Sequence, residues 1–141
     1  MNVPIDDVIV FDSRNVWKKF EFSNTCIYAA GNVSHSDCKN LIDLIQDDAN
    51  GDLRKIFTDW LGGIKDHFGV ICQFGDMVLA AADRVGSYQI FVADAPSGWM
   101  IGTDGPRLAA AAGLGMLDGH AVLSLAMAGY VTGKQTAIEN L

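Results

Sequence analysis

Cys26, Cys38 and Cys72 are the residues whose chemistry would matter most, since a thiolate can act as a nucleophile or bind a soft metal. Their surroundings argue against both roles. They form no CxxC pair, and Cys72 stands mid-strand among apolar neighbours. Cys38 falls on the apolar face of a helix and Cys26 at a strand start, so all three read as buried, inert thiols. His35, His67 and His120 lie far apart, with no i, i+4 pair, and so do not make a metal site. Asp83-Arg84 could be a catalytic acid with its partner. An ion pair fixing a tight turn before Gly86 is the better reading, which makes Asp83, Arg84 and Gly86 structural. Gly113-Leu114-Gly115 resembles a phosphate-loop fragment but lacks the Lys-Ser/Thr and follows a helix instead of a strand.

The whole chain narrows the classes further. With 141 residues, half of them hydrophobic, residues 1–141 suit a single domain able to bury a core without metal or disulfide. A net charge of −7 with only 10 basic residues, scattered except for Lys18-Lys19, excludes a nucleic-acid surface. The odd number of cysteines fits free thiols in a reducing cytoplasm. Residues 1–7 lack the basic start of a secretion signal, and the small-residue run 108–117 and the segment 121–131 are each too short to span a bilayer.

Hydrophobic periodicity sets the elements. Strands are expected at Val8–Phe11, Val16–Phe22 and Cys26–Ala30, with turn chemistry at 12–15 and 23–25, as an opening meander. Ser34 and Asp37 form a capping-box pattern ahead of a helix whose Cys38, Leu41, Ile42 and Ile45 share a face. After a possible N-cap at Asp52, Leu53, Ile56, Phe57, Trp60, Leu61 and Ile64 keep the 3.6-residue period of a second helix. Phe68–Phe74, Met77–Ala82, Ser87–Ala93 and Trp99–Thr103 then read as four strands in a second antiparallel meander. Asp104 with Pro106 opens another helix, and Asp118 a last one running to Met127 and stopping at Gly129. The class is α+β, and the order of elements predicts a four-layer α/β/β/α sandwich of two mainly antiparallel sheets.

Several segments, in order, carry a family resemblance. Asp83-Arg84-Val85-Gly86, followed by Ile90-Phe91-Val92-Ala93, resembles the "RDRLG...PLYYA" stretch of the glutaminase domain of asparagine synthetases. Asp104 to Leu108 is similar to "SEIKAL", and the segment 121–133, ending Gly129-Tyr130-Val131-Thr132-Gly133, to "YLxFGYVPGPxTxF". Upstream, Tyr28-Ala29-Ala30-Gly31-Asn32-Val33 lies where the family writes "xFNGEIYN". The resemblance spans roughly residues 16 to 141, most clearly from Phe68 onward. It implies the N-terminal nucleophile hydrolase-like fold, in agreement with the layer order.

Active members of that family hydrolyse glutamine with an N-terminal cysteine whose own α-amino group is the base. Here residue 2 is Asn, and no cysteine precedes Cys26. Ala30 stands at the oxyanion asparagine, Gly31 is kept, and Asn32 replaces the family's glutamate. Arg14 is followed by Asn-Val-Trp, unlike the arginine that clamps the substrate carboxylate, and the loop 47–52 is short. The resemblance therefore implies a vestigial glutamine pocket at Ala30, Gly31 and Asn32, with no catalytic residue, metal or cofactor. In the family a synthetase domain follows the segment that ends here at Glu139-Asn140-Leu141. That implies a module that meets a ligase domain of this type or forms a homodimer. The alternatives are an amidohydrolase with another nucleophile and an amino-acid or amide sensor.

Overall fold

The computed structural model of the chain describes residues 5–10, 16–48, 50–116, 118–128 and 138. Asn2, Phe11, Arg14 and the segments 129–133 and 139–141 lie outside them.

The first hairpin joins β2 (Trp17–Phe22) to β3 (Thr25–Gly31) across the turn at Ser23-Asn24. Helix α1 (His35–Asp47) starts as its capping box dictates: the Asp37 N–H donates to Ser34 Oγ at 3.2 Å and the Ser34 N–H to Asp37 Oδ2 at 2.8 Å. Helix α2 (Leu53–Leu61) has Asp52 as its N-cap, accepting the Arg54 N–H at 2.9 Å. The hairpin of β4 (Phe68–Phe74) and β5 (Met77–Ala82) turns at Gly75-Asp76, and Gly75 takes the left-handed φ of 57° that this turn needs. Then come β6 (Phe91–Ala95), β7 (Gly98–Gly102) and α3 (Gly105–Ala111), N-capped by Asp104. In α4 (Gly119–Ala128) the Ala121 N–H meets Asp118 at 2.9 Å. The remaining strand, β1 (Ile5–Ile9), comes first in sequence.

The class is α+β with two sheets, but the strands are shared between them differently from the two expected meanders. One sheet has the order β2-β3-β4-β5 and is antiparallel throughout. The other has the order β1-β7-β6, with β6 and β7 antiparallel and β1 parallel to β7. β1 thus leaves the first meander, and the second divides after β5. A second difference is local: residues 87–90 are not strand, and β6 starts only at Phe91. Asp83 explains it, because its Oδ1 gathers the N–H groups of Val85 and Ser87 at 2.9 and 3.2 Å and curls the chain away from an extended path.

Two clusters hold the layers. On one face of the larger sheet Ile27, Ala29, Val70 and Cys72 pack against Cys38, Leu41, Phe57 and Trp60 of the two helices. Trp60 Nε1 also donates to the Asp37 carbonyl at 3.0 Å, fastening α2 to the first turn of α1. On the smaller sheet Ala93, Ala95 and Met100 pack against Leu108 and Ala112 at α3. Between the sheets lies a groove lined by Ala80 and Ala82 of β5 and by Val92 and Ile101 of β6 and β7. Among the described residues no helix is long and apolar enough to cross a membrane.

Candidate functional site

The ends of β3, β4 and β5 converge on one corner, and Ala30, Gly31 and Asn32 sit in it. Ala30 is buried at 2 % exposure and has only a methyl group to offer. Gly31 has φ +76°, and a Cβ there would overlap the His67 carbonyl oxygen and come within 2.6 Å of the Tyr88 ring. Asn32 is spent on the chain itself: its backbone N–H donates to the His67 carbonyl at 2.9 Å and its Nδ2 to the Lys65 carbonyl at 3.1 Å. The backbone donor of Asn32 is thus taken up, and with it one of the two hydrogens on Nδ2.

Aromatic rings pack beside this corner, which leaves Gly31 and Asn32 themselves exposed. Trp17 and Tyr88 meet edge to face with centroids 6.2 Å apart, directly over Gly69. A Cβ on Gly69 would lie 2.7 Å from Tyr88 Cβ and 2.8 Å from the Trp17 ring, so glycine is what lets the rings settle on β4. Next to the corner is an open depression of about 450 Å³ lined by Lys18, Asn32, Ser34, Asp37 and Lys65 among others.

Asp83 does not pair with Arg84. Its Oδ2 accepts the Phe68 N–H at 3.0 Å and its Oδ1 the N–H groups of Val85 and Ser87, so backbone amides build the turn and Arg84 stays exposed. Burial alone would raise the carboxyl's pKa. The hydrogen bonds from Ser87, Phe68 and Val85 outweigh it and hold the group at about 2, below its ordinary 3.8. A carboxylate depressed on folding stabilises the fold above its unfolded pKa and loses that contribution as pH falls through the folded one. Wild type should therefore melt well above Asp83→Asn at pH 7. The gap should narrow from pH 4 downward and close near pH 2, which thermal melts of the two proteins check.

The turn also brings serine, histidine and aspartate together. Ser87 Oγ is 2.6 Å from His67 Nδ1, and Asp83 Oδ2 is 3.8 Å from the same nitrogen. A hydrolytic triad needs the serine on one ring nitrogen and the carboxylate on the other, so that one orients while the other takes the proton. With both on Nδ1 that relay cannot operate, and the three residues form a structural knot. Twenty residues separate His67 from Ser87, and only the β4–β5 register, which sets Phe68 against Asp83, unites them. No short motif signals such a group.

Two of the three thiols lie in the core as the periodicity predicts, whereas Cys26, at the start of β3, is only half-buried and lines a surface depression with Glu21 and Gln73. Cys38 and Cys72 are fully buried. Burial, with Asp37 adding to it, pushes the Cys38 thiol up to about 12, and burial raises Cys72 as well. His35 packs against the rings of Phe20 and Phe22 at 5.5 and 5.7 Å. Among the described residues no three His, Cys, Asp or Glu side chains gather as metal ligands would. Gly113 takes φ +70° where α3 ends, with the Leu114 N–H donating to the Ala109 carbonyl at 2.8 Å, so Gly113-Leu114-Gly115 is a helix stop.

Compared with protein-family models, with curated proteins and with solved structures, the chain gives no match.

Proposed function

We propose that this chain is a catalytically degenerate glutamine amidotransferase-like domain of an asparagine synthetase-like protein. On this reading its sheets and helices form a four-layer α/β/β/α sandwich of the N-terminal nucleophile type, and it acts in the cytoplasm as a partner-binding module. The observation that carries the reading is the state of the corner at Ala30, Gly31 and Asn32. An acyl-transfer site needs unspent donors and room for the reacting carbon. Here Ala30 offers only a methyl group, the backbone N–H of Asn32 and one of its side-chain N–H groups already bond to the carbonyls of His67 and Lys65, and Trp17 and Tyr88 pack on the neighbouring Gly69.

The partner is either an asparagine synthetase-type ligase domain or a second copy. The purified chain incubated with glutamine is expected to release no ammonia above the uncatalysed background. Release that disappears on changing Cys26, Cys38 or Cys72 would overturn the reading in favour of an amidohydrolase. The depression beside Asn32 gives a sensor reading one specific support, and a thermal-shift screen over amino acids and amides tests it. A melting temperature raised by one amide without turnover would make ligand sensing the function.

A further inference from the structure

Among the described strands β5 is an edge of the larger sheet, and its own side chains carry nothing that deters another strand. At the opposite edge β2 carries Lys18, Lys19 and Glu21, the last two ion-paired, and charges of this kind resist edge-to-edge association. β5 reads Met-Val-Leu-Ala-Ala-Ala, with no charge, no proline and an unbroken register against β4.

The direction of its free backbone groups follows from one hydrogen bond. The Asp83 N–H donates to the Phe68 carbonyl at 3.0 Å. Antiparallel pairs alternate between bonded and non-bonded, so Ala81, Leu79 and Met77 also bond inward to β4. Val78, Ala80 and Ala82 therefore turn their N–H and C=O groups outward.

We propose that β5 pairs antiparallel with β5 of a second copy of this chain, across a two-fold axis at Ala80, so that the two larger sheets run on as one. Outward-facing groups can bond only to outward-facing groups, which excludes every register offset by one residue. Centring on Ala80 uses all three residues: Ala80 faces Ala80 of the copy, and Val78 faces its Ala82 on either side. The same register brings the β4–β5 turn of one copy, with exposed Asp76, toward the turn after β5 of the other, with exposed Arg84, once at each end. Asp83, the other charge at the strand's end, is turned in on backbone amides. For a chain of net charge −7, whose copies repel at most approaches, this edge joins opposite charges at both ends. The apolar groove of about 580 Å³ walled by Ala80, Ala82 and Val92 opens beside the same strand, with Val92 43 % exposed, and a strand laid along β5 would shelter it. The proposal deepens the partner-binding reading by naming the partner and the surface, and it is independent of whether glutamine is hydrolysed.

Sedimentation equilibrium of the whole chain tests it, with a dimer expected in the micromolar range. Ala80→Pro removes an outward N–H without touching the β4 ladder, so it should leave the circular dichroism unchanged and weaken the dimer about tenfold or more. Asp76→Arg and Arg84→Asp should each weaken self-association several-fold, because each brings like charges together. Mixed in equal amounts, the two variants should associate again as a heterodimer. A chain monomeric through the high micromolar range overturns the proposal, as does a dimer indifferent to Ala80→Pro. So does a chain that associates only with a strand supplied by another protein. A monomer that releases no ammonia would sink the self-pairing and leave the degenerate reading standing, whereas a dimer that releases it would do the reverse.

Discussion

Trp60→Ala is expected to lower the stability of the chain by about 4 kcal/mol, measured by urea unfolding followed by circular dichroism. The side chain is 6 % exposed and stacks on Phe57 with centroids 5.8 Å apart, so truncation opens a large cavity between α1, α2 and the sheet. It also strips the Asp37 carbonyl of the indole N–H that it accepts at 3.0 Å. The position is sensitive because Asp37 does two jobs: its carboxylate closes the capping box on Ser34 while its carbonyl holds α2. Trp60→Phe separates the contributions, since it keeps most of the volume and loses the bond, and it should cost about 1–2 kcal/mol beyond the small volume change. A loss below about 1 kcal/mol for Trp60→Ala would mean that α2 is not docked as described.

The second large effect is expected at Gly31. Gly31→Ala forces an L side chain into φ +76° and drives its Cβ into the His67 carbonyl, which is backbone and cannot swing aside. Left-handed strain of about 1–2 kcal/mol adds to the displacement of His67 and Tyr88, for a total of about 3 kcal/mol. Gly113→Ala is the matched control. Gly113 has φ +70° with nothing within 4 Å of the added atom, so only the strain of about 1 kcal/mol should appear. Equal losses at the two positions would show that the corner at Gly31 is loosely packed and able to open.

Local signals in the sequence carried far in this chain. Ser34 and Asp37, Asp52, and Asp104 with Pro106 mark helix starts through bonds made within a few residues, which is why composition and spacing reveal them. The faces of α1 and α2 follow likewise from the spacing of Cys38, Leu41, Phe57 and Trp60. Partner choice among strands is a different matter. Alternation says which face of a strand is apolar and nothing about which strand lies beside it, so β1 could not be told from a third member of the first meander. Residues 87–90 depart from the strand pattern for a related reason, because Asp83 reshapes them through hydrogen bonds that strand propensity ignores. At the candidate site, the missing donor of Ala30 is legible from its side chain alone. That Asn32 is committed to the Lys65 and His67 carbonyls, and that Tyr88 lies over Gly69, depends on contacts between remote parts of the chain.

The parallel pairing of β1 with β7 bears on the order in which the chain can assemble. Every strand of the larger sheet lies beside its neighbour in sequence, so that sheet and its two helices can close once Ala82 has left the ribosome. β1 precedes that sheet in the chain, and its described partner β7 emerges only with Trp99–Gly102, when a loop of about 90 residues must close to dock it. β1 is therefore incorporated after the larger sheet has closed, and the smaller sheet joins an early segment to a late one.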